Sequence, residues 1–325
     1  MLQTKPLLLL SFLLATTFNY GQFTDVINSN RPGESMAAFS VGKTVIQAEL
    51  GFYGYKEKHD LSNYEAKGLG TDLSVRYGAF FEQLEFSLDL QYQMENYTTP
   101  FSDDDRSGFK QTTIGAKYLV YDPNKRDQQK PNLYSWKANH KFSWRQFIPA
   151  VGVYAGFNIN LSDDTFHRPW LIEESKWSPK FALLTQNQLG RYVLVMNVIA
   201  DKYGTNRESI DYIVTLTRGF NARWSGFIEN QGYISDYYKD AVFRGGAAYL
   251  VKQNVQIDAS VGSNIKDTPS ILTAAIGLSW RFDANYDEVL LRIPKDEKDK
   301  DKKEKDKKKE KAKKRLDEVE GEKTN

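Results

Sequence analysis

The chain has no cysteine among its 325 residues. Disulfides, thiolate metal sites and acylated lipoprotein anchors are therefore excluded, since each needs that side chain. Histidine is nearly absent too, with three residues: His59, His140 and His167. A nucleophile–base–orienter constellation needs a base held against a nucleophile. His59 and His167 fall in polar stretches that read as loops. His140 has Ser143 nearby but no carboxylate in register. An enzymatic reading is accordingly poor, and no catalytic residue is assigned. Long apolar runs are also missing beyond the first 21 residues, which argues against membrane helices. The mean hydropathy of -0.58 agrees. Phosphate loops, dinucleotide fingerprints and zinc spacings do not occur, so no cofactor and no metal is expected.

The N-terminus does carry an export signature. Lys5 supplies the charge, Leu7 to Leu14 the apolar stretch, and Asn19-Tyr20-Gly21 a cleavage region before Gln22. The apolar stretch is too short to span a bilayer and reads as a signal peptide over 1–21. At the other end, residues 295–325 hold 14 Lys/Arg and 11 Asp/Glu. Such a segment cannot bury apolar surface and reads as a solvated, partly helical tail. It lacks an apolar seam for a coiled coil. Its interleaved acids and lack of aromatics argue against nucleic acid as a partner.

Between the ends, side chains alternate. In Leu84-Glu85-Phe86-Ser87-Leu88-Asp89-Leu90-Gln91-Tyr92-Gln93-Met94, even positions are apolar and odd ones polar or charged. Successive strand side chains point to opposite faces, so one face is oily and the other wet. The pattern predicts about twelve strands: 44–55, 70–77, 84–97, 109–121, 147–161, 179–189, 192–200, 210–217, 223–233, 241–250, 255–262 and 271–282. Short connections such as Gly190-Arg191 alternate with longer polar ones, including 56–67, 98–108 and 162–178. The stretch 122–141 is a long connection on the short-turn side that fits no element. Recurrent alternation behind an export signal describes an all-β, transmembrane, antiparallel up-and-down β-barrel with lipid outside and polar groups inside. Aromatics make up 14% of the chain, which suits interfacial girdles.

The expected organisation is a signal peptide at 1–21, an N-terminal periplasmic segment at 22–43, an outer-membrane barrel at 44–282 and a charged periplasmic tail at 283–325. The expected location is the outer membrane of a Gram-negative bacterium, with both termini periplasmic. The inward face is expected to carry Glu49, Asp72, Arg76, Glu85, Asp89, Lys117, Glu229, Arg244 and Asp258, with Glu95 and Arg281 beside them. Opposed charges of this kind set a transverse field across a pore. The alternative for the same residues is a salt-bridged lumen filled by side chains. Asp103-Asp104-Asp105 and Asp163-Asp164 read as solvated loop tips rather than calcium sites.

Ser29-Asn30-Arg31-Pro32-Gly33-Glu34-Ser35, then Val41-Gly42-Lys43 and Gln47-Ala48-Glu49, resemble a family of Gram-negative outer-membrane proteins described as transporters of the phenol-degradation meta-pathway type. That family opens on Thr-Asp-Arg-Pro-Asp with a nearby Glu-Ser, followed by Gln-x-Glu in the first strand. This chain keeps Arg31, Pro32, Glu34 with Ser35, and Gln47 with Glu49. It has Ser29-Asn30 for Thr-Asp and Gly33 for the second Asp. The layout is similar over residues 23–282, and the ends look like those of a Bacteroidota member. The resemblance implies small-molecule passage. The last strand ends Leu278-Ser279-Trp280-Arg281-Phe282, and Trp280 and Phe282 resemble the signal that the barrel-assembly machinery recognises, here internal rather than terminal.

Two functions follow as expectations. One is a channel or transporter for small molecules. The other is a non-enzymatic accessory barrel of a larger barrel-assembly, secretion or nutrient-uptake complex, docked through its tail. Expected partners are outer-membrane lipid and lipopolysaccharide, the barrel-assembly machinery, and complex partners reached through the tail.

Overall fold

Twelve strands are formed by the described residues of the computed structural model, which are 27–123, 147–161, 166 and 175–283. They are β1 (Val45–His59), β2 (Tyr64–Gly78), β3 (Leu84–Thr98), β4 (Asp103–Tyr121), β5 (Ala150–Ile159), β6 (Trp177–Leu189), β7 (Tyr192–Asp201), β8 (Ser209–Gly219), β9 (Trp224–Ser235), β10 (Lys239–Lys252), β11 (Val255–Asn264) and β12 (Ser270–Asp283). Each strand pairs with its sequence neighbours, and β12 pairs with β1, which closes the sheet. All pairings are antiparallel; the seam runs from Val45↔Asp283 through Gly51↔Gly277 to Lys58↔Ser270. Closure leaves no open seam, so backbone groups around the wall are satisfied within the sheet, as a bilayer demands; towards one rim, 103–112 of β4 pair with β3 alone among the described residues. The expected all-β, up-and-down barrel of about twelve strands is thus the observed fold.

The alternation read from the sequence sets which way each side chain points. Phe52, Leu69, Phe86, Met94, Ile114, Phe157, Phe181, Leu183, Val198, Ile228, Phe243, Val261 and Ile276 are all exposed on the outer face. Their strand neighbours face inward, among them Gln47, Glu49, Arg76, Glu85, Gln93 and Glu229, which are buried. A water-soluble protein rarely exposes so continuous an apolar surface.

Three expectations need correcting. First, most of 56–67 is strand: β1 and β2 stay paired up to His59↔Tyr64, leaving a turn at 60–63. Likewise Asp103, Asp104 and Asp105 open β4 and pair with Thr98, Tyr97 and Asn96. Where both faces of a strand meet water the oily/wet alternation disappears, but backbone pairing continues. Second, β5 begins at Ala150 rather than Phe147. Third, residues 27–43, part of the segment 22–43 expected as a periplasmic stretch ahead of the barrel, run inside it. The inner wall also has an apolar quarter. Leu119, Tyr154, Leu184, Ile199 and Ile213 point inward and cluster with Ala38 and Phe39 of that segment, with Met36 packed against them. The signal peptide, the charged tail and the connection 122–141 fall wholly or almost wholly outside the described residues.

Candidate functional site

A segment that runs through a barrel without joining the sheet must find partners for its N–H and C=O groups among side chains. Residues 27–43 do so at nearly every step. The Ile27 N–H donates to the Gln253 carbonyl at a short turn (3.1 Å), and the Thr44 N–H to the Gly78 carbonyl at the same end (2.9 Å). Between these anchors the chain rises to mid-height and returns. On the way up, Gln47 Nε2 and Arg76 Nη2 donate to the Asn28 carbonyl (3.0 and 2.7 Å). At the apex, the Glu34 N–H is held by the Glu229 carboxylate. On the way down, Asn197 accepts from the Met36 N–H (2.7 Å) and donates to its carbonyl (2.9 Å). Gln186 accepts from Ala38 (3.1 Å) and Glu85 from Val41 (2.8 Å). Lys117 Nζ donates to the Ala37 and Phe39 carbonyls (3.0 and 2.9 Å). The result is a re-entrant plug filling the short-turn half of the lumen.

The nine residues expected to line a pore all face inward, but most hold the plug or one another. Arg76 pairs with Glu49 and lies 3.7 Å from Glu85. Glu85 also accepts Lys117 at 3.1 Å, and all four side chains are almost fully buried. Charges so deeply buried persist only when paired and hydrogen-bonded. Ser29 and Gln47 add donors to Glu49 (2.9 and 2.8 Å). Across the lumen, Arg244 pairs with Glu229 (3.0 Å) and reaches Gln231, while Thr215 donates to Glu229 (2.7 Å). Asp89 accepts from Ser74 (2.6 Å). Asp72 and Asp258 flank Arg31, the former hydrogen-bonded and the latter at 3.4 Å.

Arg31 sits at the plug's apex in a seat cut from the wall. Gly51 and Gly277 face each other across the β1–β12 seam. A Cβ on Gly51 would overlap Arg31 Nη1, and one on Gly277 would overlap Arg31 Nε. The guanidinium also donates to the Ile276 carbonyl (3.3 Å), and Gln256 donates to the Arg31 carbonyl (3.2 Å). The motif residues Arg31, Pro32, Glu34 and Gln47, noticed as sequence landmarks, therefore form the plug's apex and one of its anchors.

Towards the opposite end the inner wall is polar and aromatic. Tyr53 donates to Gln93 (3.0 Å), Gln93 donates to Tyr55 and Glu95 (2.7 and 3.0 Å), and Tyr55 bonds Glu95. Arg106 pairs with Glu95 (3.5 Å) and stacks on Tyr97, 3.7 Å from the ring centre. His59 accepts from the Ser62 N–H (3.0 Å) and lies beside Tyr64, a turn-closing role. Asn96 bridges Asp103 and Asp105 (3.0 and 3.1 Å). No group of three potential metal-ligating side chains occurs among the described residues. His140, His167 and Asp163-Asp164 lie outside them. Trp280 and Phe282 point outward on β12, half-exposed, with ring centres 5.9 Å apart.

The plug and the apolar quarter it packs on were not foreseen, although one signal was available. In Val193-Leu194-Val195-Met196-Asn197-Val198-Ile199-Ala200 both parities are apolar except Asn197. A strand apolar on both faces is covered on both, by lipid outside and by something apolar inside.

Residues 29–282 match the family described as "Putative MetA-pathway of phenol degradation". The chain belongs to that family. The matched stretch begins in the plug and ends at the last strand, so plug and wall are one family unit. No curated protein matches the chain. Solved structures with similar barrels include the KdgM porin in complex with disordered oligogalacturonate (10% identity, 72% of this chain and 99% of that one, TM-score 0.42). The β domain of the Bordetella autotransporter BrkA is another (8%, 73% and 100%, 0.46). A third is the toluene transporter TodX of P. putida (8%, 77% and 99%, 0.41).

Proposed function

We propose that this family member is an outer-membrane channel for small molecules whose short-turn half is stoppered by residues 27–43. The observation that carries the reading is the two-faced wall: a continuous apolar exterior around an interior that is polar and charged over most of its circumference. A barrel with an oily outside belongs in hydrocarbon. A polar inside that still exposes a carboxylate, Glu34, at mid-height holds water beyond the plug. In this reading the short-turn end faces the periplasm, following the usual placement of short turns. Both β1 and β12 reach that end. The outer face meets lipid and lipopolysaccharide, and Trp280 and Phe282 on β12 meet the assembly machinery. The chemistry is passage and selection rather than bond-breaking. The accessory-subunit reading rests on the charged tail, which lies outside the described residues.

The test is conductance in planar bilayers, comparing the native chain with Arg31→Ala, which removes the plug's ionic anchor. Expected are low or intermittent currents from the native chain and larger, steadier ones from the variant. Folded, inserted barrels that stay silent in both forms would refute the channel reading.

A further inference from the structure

Glu34 is the one exposed residue of 27–41, although it stands inside the barrel. Its N–H donates to both carboxylate oxygens of Glu229 (3.2 and 3.1 Å), which ties its peptide to the β9 wall. The chain on either side of Glu34 crosses the lumen, from the Arg31 seat on β1 and β12 to Asn197 on β7. An exposed side chain carried on that crossing stands in the lumen, where a solute must pass it.

Arg244, on the strand beside β9, is a cation that faces this charge, and it is shared with Glu229, so one acid of the pair is left over. Arg76, Lys117, Arg106 and Arg244 are each engaged by a carboxylate, and Arg31 lies between two. Further out, Asp201 and Asp240 face neutral donors, Asn158 at 2.8 Å and Asn264 at 2.8 Å, which orient a carboxylate without neutralising it. Asp211 is buried with one oxygen lacking a hydrogen-bond donor. Lys110 and Lys180 are the inward cations left to oppose these acids among the described residues. Fixed charge of one sign in a narrow aqueous passage enriches ions of the other sign.

We propose that Glu34 is a specificity-determining residue and that the chamber beyond the plug favours cationic over anionic solutes. This rests on the channel reading above. The side chain makes no anchoring contact of its own, since the peptide N–H does that work, so Glu34 can be changed without unseating the plug.

The experiment is the K⁺/Cl⁻ permeability ratio from reversal potentials in a KCl gradient. It compares the native chain, Glu34→Gln and Glu34→Lys, each also in a Gly277→Val background that loosens the plug. A unit charge about 5 Å from a passing monovalent ion in water changes its local concentration roughly fourfold. The native channel is expected to prefer K⁺, Glu34→Gln to lower the ratio by roughly fourfold or more, and Glu34→Lys to reverse it. A native preference for Cl⁻, or a ratio unmoved by both substitutions, would overturn the assignment while leaving the channel reading intact. Silence of inserted barrels in every background would remove both.

Discussion

Replacing Gly277 by valine tests whether the plug is held at its apex. The new Cβ would overlap Arg31 Nε, so the guanidinium must leave its seat. Moving the end of a flexible arginine is usually cheap. Here it separates Arg31 from Asp72 and from Asp258, whose side chain is fully buried. Stripping a buried charge of its partner costs about 3–5 kcal/mol. Asp72 is one-third exposed, which places the expected loss near the lower end, about 3 kcal/mol. The wall itself should tolerate the change, because valine is well suited to strands. The loss therefore falls on local opening of the plug, and each 1.4 kcal/mol is about tenfold in its equilibrium. Hydrogen exchange read by mass spectrometry reports that opening directly. Segments carrying the amides of Glu34, Met36, Ala38 and Val41 should exchange roughly a hundredfold faster. The paired amides of β6 and β7 should keep their native rates. Unchanged protection across 34–41 would show that the glycine seat does not hold the plug.

The apolar quarter and the ion pairs give two further tests. Leu184→Ala should destabilise the barrel by about 2–5 kcal/mol, as its side chain is wholly buried beside Ala38 and Phe39. Leu183→Ala, one residue away but half-exposed on the outer face, should cost far less. Urea unfolding in the same detergent compares them, and equal losses would contradict the assigned faces. Lys117→Met keeps the length of the side chain but leaves Glu85 with only the more distant Arg76 for compensation, and the Ala37 and Phe39 carbonyls without their donor. It should cost about 3–5 kcal/mol and speed exchange in the returning arm of the plug. Native-like stability and protection would argue that the cluster is dispensable.

The architecture was largely written in local pattern. The parity of Leu84 to Met94 assigns each residue to lipid or lumen because strand geometry leaves two faces and the bilayer tolerates apolar groups alone on one of them. Strand number, turn positions and the inward direction of Glu49, Arg76, Lys117, Glu229 and Asp258 follow from that constraint. Strand ends beyond the bilayer did not, because in water on both sides Lys56 to Lys67 can pair without alternating. Which carboxylate meets which cation was also hidden, since Arg76 and Glu85 come together through a register that no single strand records.

The sequence by itself determined the wall, because alternation is a property of neighbouring residues and hydrocarbon enforces it one strand at a time. Only the tertiary structure decided what the wall encloses. Residues 27–43 have no periodicity of their own; their path follows from side chains on distant strands, Glu85, Gln186, Asn197, Glu229 and the Gly51–Gly277 seat, which converge only once the barrel closes.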